Sequence, residues 1–244
     1  MSIMSAQIGR ARTSWRAGDL YTASNASKTG LTEETRQFLS SYARLGDLEA
    51  VRRELANGGL PQRSRATRVT IVRMLQVRLT RWQPPSWVLD DLVRFARETS
   101  AALQSALLLH VARQDALMYD FIQDVLWPRW NSGEREVARS DVQRFLDSSA
   151  HAHPEVESWS HETREKLTGN ILSIMRDYGV LSGAVKKTIV EPTVPEPVVR
   201  HLERLLQEEG VSAPDIPQHP DWHIWLWDAA RVKTALSRSE VLAL

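Results

Sequence analysis

The apolar residues of this chain recur mostly at helical spacing, in segments cut short by glycine or proline, and that pattern points to packed helices. The clearest case is Ser160 to Tyr178, where Leu167, Ile171, Ile174, Met175 and Tyr178 form a stripe that Gly179 terminates. Leu31, Thr35, Phe38, Leu39 and Tyr42 repeat the pattern earlier. Thr32 is the expected N-cap there, with Glu33 and Glu34 in the first turn and Gly46 as the stop. Leu48, Val51 and Leu55 mark a short helix ending at Gly58-Gly59. Ser64 is expected to cap a third helix through Arg81, which Pro84-Pro85 closes. Further helices are expected over 86–98, 99–113, 115–127, 140–148 and 197–208, while Val185 to Val190 reads as a strand. The predicted class is mainly α: a compact multi-helix bundle with little strand.

Asn131-Ser132-Gly133 breaks the pattern and sets a boundary. The expected organisation is a partly irregular N-terminal extension (1–30), a helical domain (31–130), a winged-helix-like unit (135–195) and C-terminal helices (196–244) packing on the rest. With 244 residues, 42% of them hydrophobic, the chain can bury a sizeable core. Cysteine is absent, which excludes disulfides, thiolate zinc sites, iron–sulfur clusters and a cysteine nucleophile, and fits a reducing cytoplasm. Arg10, Arg12 and Arg16 lack the apolar run of a signal peptide. The most apolar segment, Ala101 to Val111, contains Gln104, Ser105 and His110 and is far short of the ~20 residues a spanning helix needs. It reads as a buried core helix with His110 satisfied inside it, and no membrane association is expected.

Phosphate loops, dinucleotide-binding turns, zinc-protease and serine-hydrolase signatures are missing. His151 and His153, and His219 and His223 around Pro220, read as polar loop histidines and not as metal ligands. No catalytic residue, metal or cofactor is expected. Trp222, Trp225 and Trp227 could stack on unpaired bases, but apolar Ile224 and Leu226 between them favour packing. Trp82 and Trp87 are expected to pin the double-proline turn.

One interval stands apart. Between Glu54 and Asp90 there is no acidic residue, although the chain as a whole carries a net charge of only +1. On a helical wheel Ile71, Val72, Leu75 and Leu79 face the core, while Thr70, Arg73, Val77, Arg78 and Arg81 spread over the other side. Arg68 falls on the core side and reads equally as a structural partner. Arg63, Ser64, Arg65 and Thr67 sit at the helix N-terminus, where backbone N–H groups attract anions. Arginine, threonine and serine are the common phosphate-contacting side chains. The charge run alone leaves two readings open: a solvated face paired with acids such as Asp90 and Asp91, or a polyanion-binding surface.

A second candidate surface lies in Ser140 to Val190, whose helix, loop, long helix and strand follow the order of a winged helix. Lys166 and Arg176 lie on the outer face of the long helix, and Lys186 and Lys187 where a wing would touch a nucleic-acid backbone. Glu162 and Glu165 on the same face would repel phosphate, and protein interaction is the alternative use for this unit.

Several motifs together resemble the BrxA family of BREX bacteriophage-exclusion systems. They are Leu31-Thr32-Glu33-Glu34-Thr35-Arg36-Gln37-Phe38-Leu39, Leu60-Pro61-Gln62-Arg63-Ser64-Arg65-Ala66-Thr67, Gln76-Val77-Arg78-Leu79, Met175-Arg176-Asp177-Tyr178-Gly179-Val180-Leu181 and the closing Trp222 to Leu226. The resemblance spans about residues 20 to 240. It implies a cytoplasmic helical protein with likeness to the RNA-binding factor NusB and to winged-helix DNA binders. It also implies DNA binding beside a methyltransferase, an ATPase and a phosphatase-like component. The expected function is therefore a non-catalytic accessory subunit that binds nucleic acid, with double-stranded DNA preferred. The alternatives are a protein-interaction scaffold within the defence complex, or a NusB-like RNA-binding protein.

Overall fold

A computed structural model of the chain describes residues 18–23 and 30–242. Most of the expected N-terminal extension, including Arg10, Arg12 and Arg16, lies outside the described residues.

Helix α1 (Thr32–Leu45) starts from Leu31, whose backbone is left-handed at φ 56°, and the structure thus moves the cap one residue before the expected Thr32. Helix α2 (Leu48–Glu54) is capped by Asp47 and runs into a wider turn, Leu55–Gly59, that Gly58 breaks at φ 135°. Helix α3 (Arg65–Leu79) begins at Ser64, whose Oγ accepts the Thr67 N–H at 3.3 Å, and ends two residues before the expected Arg81. Helices α4 (Ser86–Glu98), α5 (Ser100–Gln114), α6 (Ala116–Phe121) and α7 (Trp127–Ser132) follow.

Helix α5 is the axis of the fold. Its residues from Ala102 to Arg113 are buried apart from Gln104, because α3, α4 and α10 (Glu196–Glu208) and the turn Pro220–Trp225 all pack on it. Among the described residues no helix is long and apolar enough to cross a membrane. The tryptophans expected to pack do so. Trp222, Trp225 and Trp227 are buried, and the Nε1 of Trp225 donates to the Ser105 carbonyl of α5 at 3.1 Å. Beside them Arg113 is buried against both Glu209 and Asp221, and the Tyr119 hydroxyl donates to Asp221 at 3.0 Å.

His110 is less simply satisfied than expected. Its Nε2 meets His201 Nε2 at 2.9 Å, and His201 Nδ1 meets Asp91 Oδ2 at 2.8 Å, but His110 Nδ1 is buried without a partner. Burial holds both imidazoles below their ordinary value, His110 well below it. Trp82 stacks on His110, and Trp87 stands edge-on to His201, so both tryptophans fasten the proline turn as expected.

After Gly133 the chain forms β1 (Glu136–Val137), α8 (Arg139–Ser149), α9 (His161–Asp177), β2 (Leu181–Ser182) and β3 (Lys187–Ile189). The expected single strand is in fact the middle of a three-stranded antiparallel sheet in the order β1-β3-β2. Leu167, Ile171, Ile174 and Met175 bury the inner face of α9, with Tyr178 just beyond its end. Helix α10 packs on α11 (Ala229–Leu242) as well as on α4 and α5.

Candidate nucleic-acid interface

The basic helix α3 owes its orientation to its apolar face. Ile71, Val72, Leu75 and Leu79 are all buried, as the wheel places them. Arg63, Ser64, Arg65, Thr70, Arg73 and Arg81 are exposed, and Thr67 is half-buried. Arg65 Nε reaches only the Asn57 side chain, at 3.3 Å. Arg63, Arg73 and Arg81 donate no side-chain hydrogen bond and join no ion pair among the described residues. Elsewhere surface arginines commonly find a carboxylate, as Arg44 does in Glu54, Arg139 in Glu165 and Arg164 in Asp147. Asp91, a conceivable partner for α3, is instead engaged with Arg94 and His201.

Two arginines of the predicted set are structural. Arg68 donates to the Ala56, Gln62 and Arg63 carbonyls, at 3.0, 2.6 and 3.0 Å, and so ties the glycine turn to the start of α3. Arg78 does not face outward as the wheel suggested. It is buried, and its Nη1 donates to Gly30 O at 2.9 Å and to the Tyr178 hydroxyl at 3.3 Å. The spacing explains the correction: Arg78 follows Ile71 by seven residues, which returns it to within about 20° of that buried side chain.

Arg73 and Arg81 line a cleft between α3 and α5 of about 370 Å³, together with Thr70, Met74 and Val77 of α3, Val111 and Gln114 of α5, and Thr22. Asp115 also borders it, but its carboxylate caps α6 by accepting the Met118 N–H at 3.2 Å. Sequence reasoning missed this cleft, since Thr22 and Val111 are remote from α3 in the chain.

The second predicted surface is largely neutralised. Lys166 pairs with Glu162 at 2.7 Å and Arg176 with Asp177 at 2.9 Å. Lys187 is buried, contrary to its expected place on a wing surface. Its Nζ donates to the Gly183 and Ala184 carbonyls at 2.6 and 2.7 Å, and burial lowers its pKa. Alternation along β3 is the cause: one neighbour of each strand pair faces in. Lys186 remains exposed, beside Val185, which is 95% exposed at the hairpin tip. Both border a cleft with Arg129, Arg139 and Ser140. Among the described residues no cluster of three or more metal-ligating side chains occurs.

A family model for BrxA matches residues 19–205, and so covers α1 to α9, the sheet and most of α10. The chain belongs to the BrxA family. Membership suggests a BREX-associated role, and the family is not a known catalytic one. The fold is similar to that of an uncharacterized protein from Magnetospirillum magneticum, known from a crystal structure. The two share 15% identity with a TM-score of 0.66, over 85% of this chain and 99% of the other. No curated protein is a significant match. The matched BrxA region includes all of α3, so the exposed arginines lie within the family core and not in an appended segment.

Proposed function

We propose that this BrxA-family chain is a non-catalytic, cytoplasmic, nucleic-acid-binding accessory component of a BREX defence system, with double-stranded DNA as its preferred ligand. The observation that carries the proposal is the set of exposed arginines on and beside α3, Arg63, Arg65, Arg73 and Arg81, none of which has a carboxylate partner among the described residues. A guanidinium left without a counter-charge on a protein of nearly zero net charge is a local anion site. Ser64 and Thr67 lie between them as further phosphate-contacting side chains, whereas the Thr70 hydroxyl already donates to the Ala66 carbonyl at 3.0 Å. The order β1, α8, α9, β2, β3 supports a winged-helix arrangement, in which Lys186 at the hairpin tip supplies a second backbone contact. Lys166, Arg176 and Lys187 are already engaged and contribute little to it.

Fluorescence anisotropy with a short labelled duplex at low salt tests the proposal. Saturable binding of duplex DNA that resists competition by an equal amount of duplex RNA is the expected result. No binding at low salt favours a scaffold that contacts only the other defence proteins, and stronger competition by RNA favours a NusB-like role.

A further inference from the structure

The cleft between α3 and α5 has a lining that phosphate contact alone does not require. Exposed Arg73 and Arg81 stand on its border with no side-chain hydrogen bond or ion pair among the described residues, and Thr22, Thr70 and Arg78 also line it, yet Met74 and Val77 on one side and Val111 on the other give it an apolar stretch of wall. Gln114 adds an amide to the rim. At about 370 Å³ the space falls within the ~300–1,000 Å³ range of small-ligand sites, and a duplex is far too wide to enter it.

Guanidinium groups beside an apolar slot match a ligand that carries an anionic group and a flat, weakly hydrated body. A nucleotide has both. Its phosphate suits the forked donors of Arg73 and Arg81, and its base loses little on leaving water for a slot of valine and methionine. Among the described lining residues the carboxylate is that of Asp115, which accepts the Met118 N–H at the α6 N-terminus, so part of its charge is offset by that helix end.

We propose that this cleft receives a single unpaired nucleotide, with its phosphate on Arg73 and Arg81 and its base between Met74, Val77 and Val111. The proposal rests on the reading that these arginines grip phosphate. It adds that the site takes a base and not only a backbone. The nucleotide has two sources, one extruded from a nucleic acid or a free nucleoside monophosphate.

Paired duplexes separate the base from the charge: one carries a bulged adenosine, the other a bulged abasic site, with equal numbers of phosphates. The bulged adenosine is expected to bind about tenfold more tightly, as one stacked base contributes. Val77→Asn, which removes apolar wall without altering charge or adding an aromatic face, should lower that preference severalfold. Equal affinity of the wild-type protein for both duplexes, together with no binding of adenosine monophosphate above that of phosphate, overturns the proposal and leaves the phosphate reading standing. Calorimetry with adenosine monophosphate, inorganic phosphate and adenosine tests the free source. Binding of adenosine monophosphate above that of phosphate, lost in Arg73→Ala/Arg81→Ala, upholds the site even where neither duplex binds. Failure of both the duplexes and adenosine monophosphate to bind overturns the site and the phosphate reading together.

Discussion

Arg78 and Tyr178 converge on one acceptor: the Gly30 carbonyl receives the Tyr178 hydroxyl at 2.6 Å and the Arg78 Nη1 at 2.9 Å. Gly30 N in turn donates to Asp177 at 3.1 Å, so a single backbone unit fastens α3 to the end of α9. Burial raises the Tyr178 pKa, which keeps the phenol protonated as a donor.

Arg78→Met should therefore destabilise the protein by about 2–3 kcal/mol, because it removes the charged donor from a buried acceptor. Tyr178→Phe should cost about 1 kcal/mol. Both are read by urea unfolding. Duplex affinity of the folded variants should be unchanged, and a loss of binding at constant stability would return Arg78 to the contact set.

Gly30→Ala probes the same junction from the backbone. An added Cβ would lie 2.7 Å from the Asp177 Cβ, inside any normal contact, so α9 or the Gly30 segment must shift. A melting temperature several degrees lower is expected, and an unchanged one would show that the junction is loose.

Much of this arrangement was legible in the sequence. The stripes of α3 and α9, the Ser64 cap and the packing role of Trp222, Trp225 and Trp227 follow from local spacing, which the helix period fixes. What was not legible depends on chain segments far apart in sequence. The inward turn of Arg78 follows from its place seven residues after Ile71, but its partners, the remote Gly30 and Tyr178, do not. Lys187 resembled Lys186, and only the pairing of β3 between two strands turned it inward. The strands β1 and β2 are two residues each, too short to leave a periodic signal. The cleft beside Arg73 needed Val111 and Thr22 brought to α3, which no local pattern encodes.

The His110–His201 pair predicts a pH dependence. Burial holds both imidazoles below their ordinary value in the fold, His110 well below it, while in the unfolded chain they titrate near pH ~6.5. The unfolded state then binds more protons, so their contribution to stability is complete above that pH. It is lost as pH falls below it, by up to about 1.4 kcal/mol per pH unit for each histidine. His110→Gln, which keeps a donor for His201, should make the acid decline shallower. An identical decline in the variant would mean that His110 is not the group responsible.

Arg113 predicts a larger effect. Its replacement by Met leaves Glu209 and Asp221 buried without their cation, at a cost of roughly 3–5 kcal/mol. Thermal unfolding checks this, and a loss below about 1 kcal/mol would contradict the burial of the cluster.

On the second surface, Lys186→Ala should weaken duplex binding measurably, whereas Lys166→Ala should leave it unchanged because Glu162 already holds that lysine. Equal effects of the two substitutions would mean that the Glu162 pair opens on binding.

The salt dependence of duplex affinity tests the central claim most directly. Each neutralised phosphate contributes about 0.9 to the slope of log affinity against log salt. Arg73→Ala/Arg81→Ala should therefore lower the magnitude of the wild-type slope by about two without altering the unfolding midpoint. A slope identical to that of the wild-type protein would contradict the assignment of α3 as the phosphate-gripping surface.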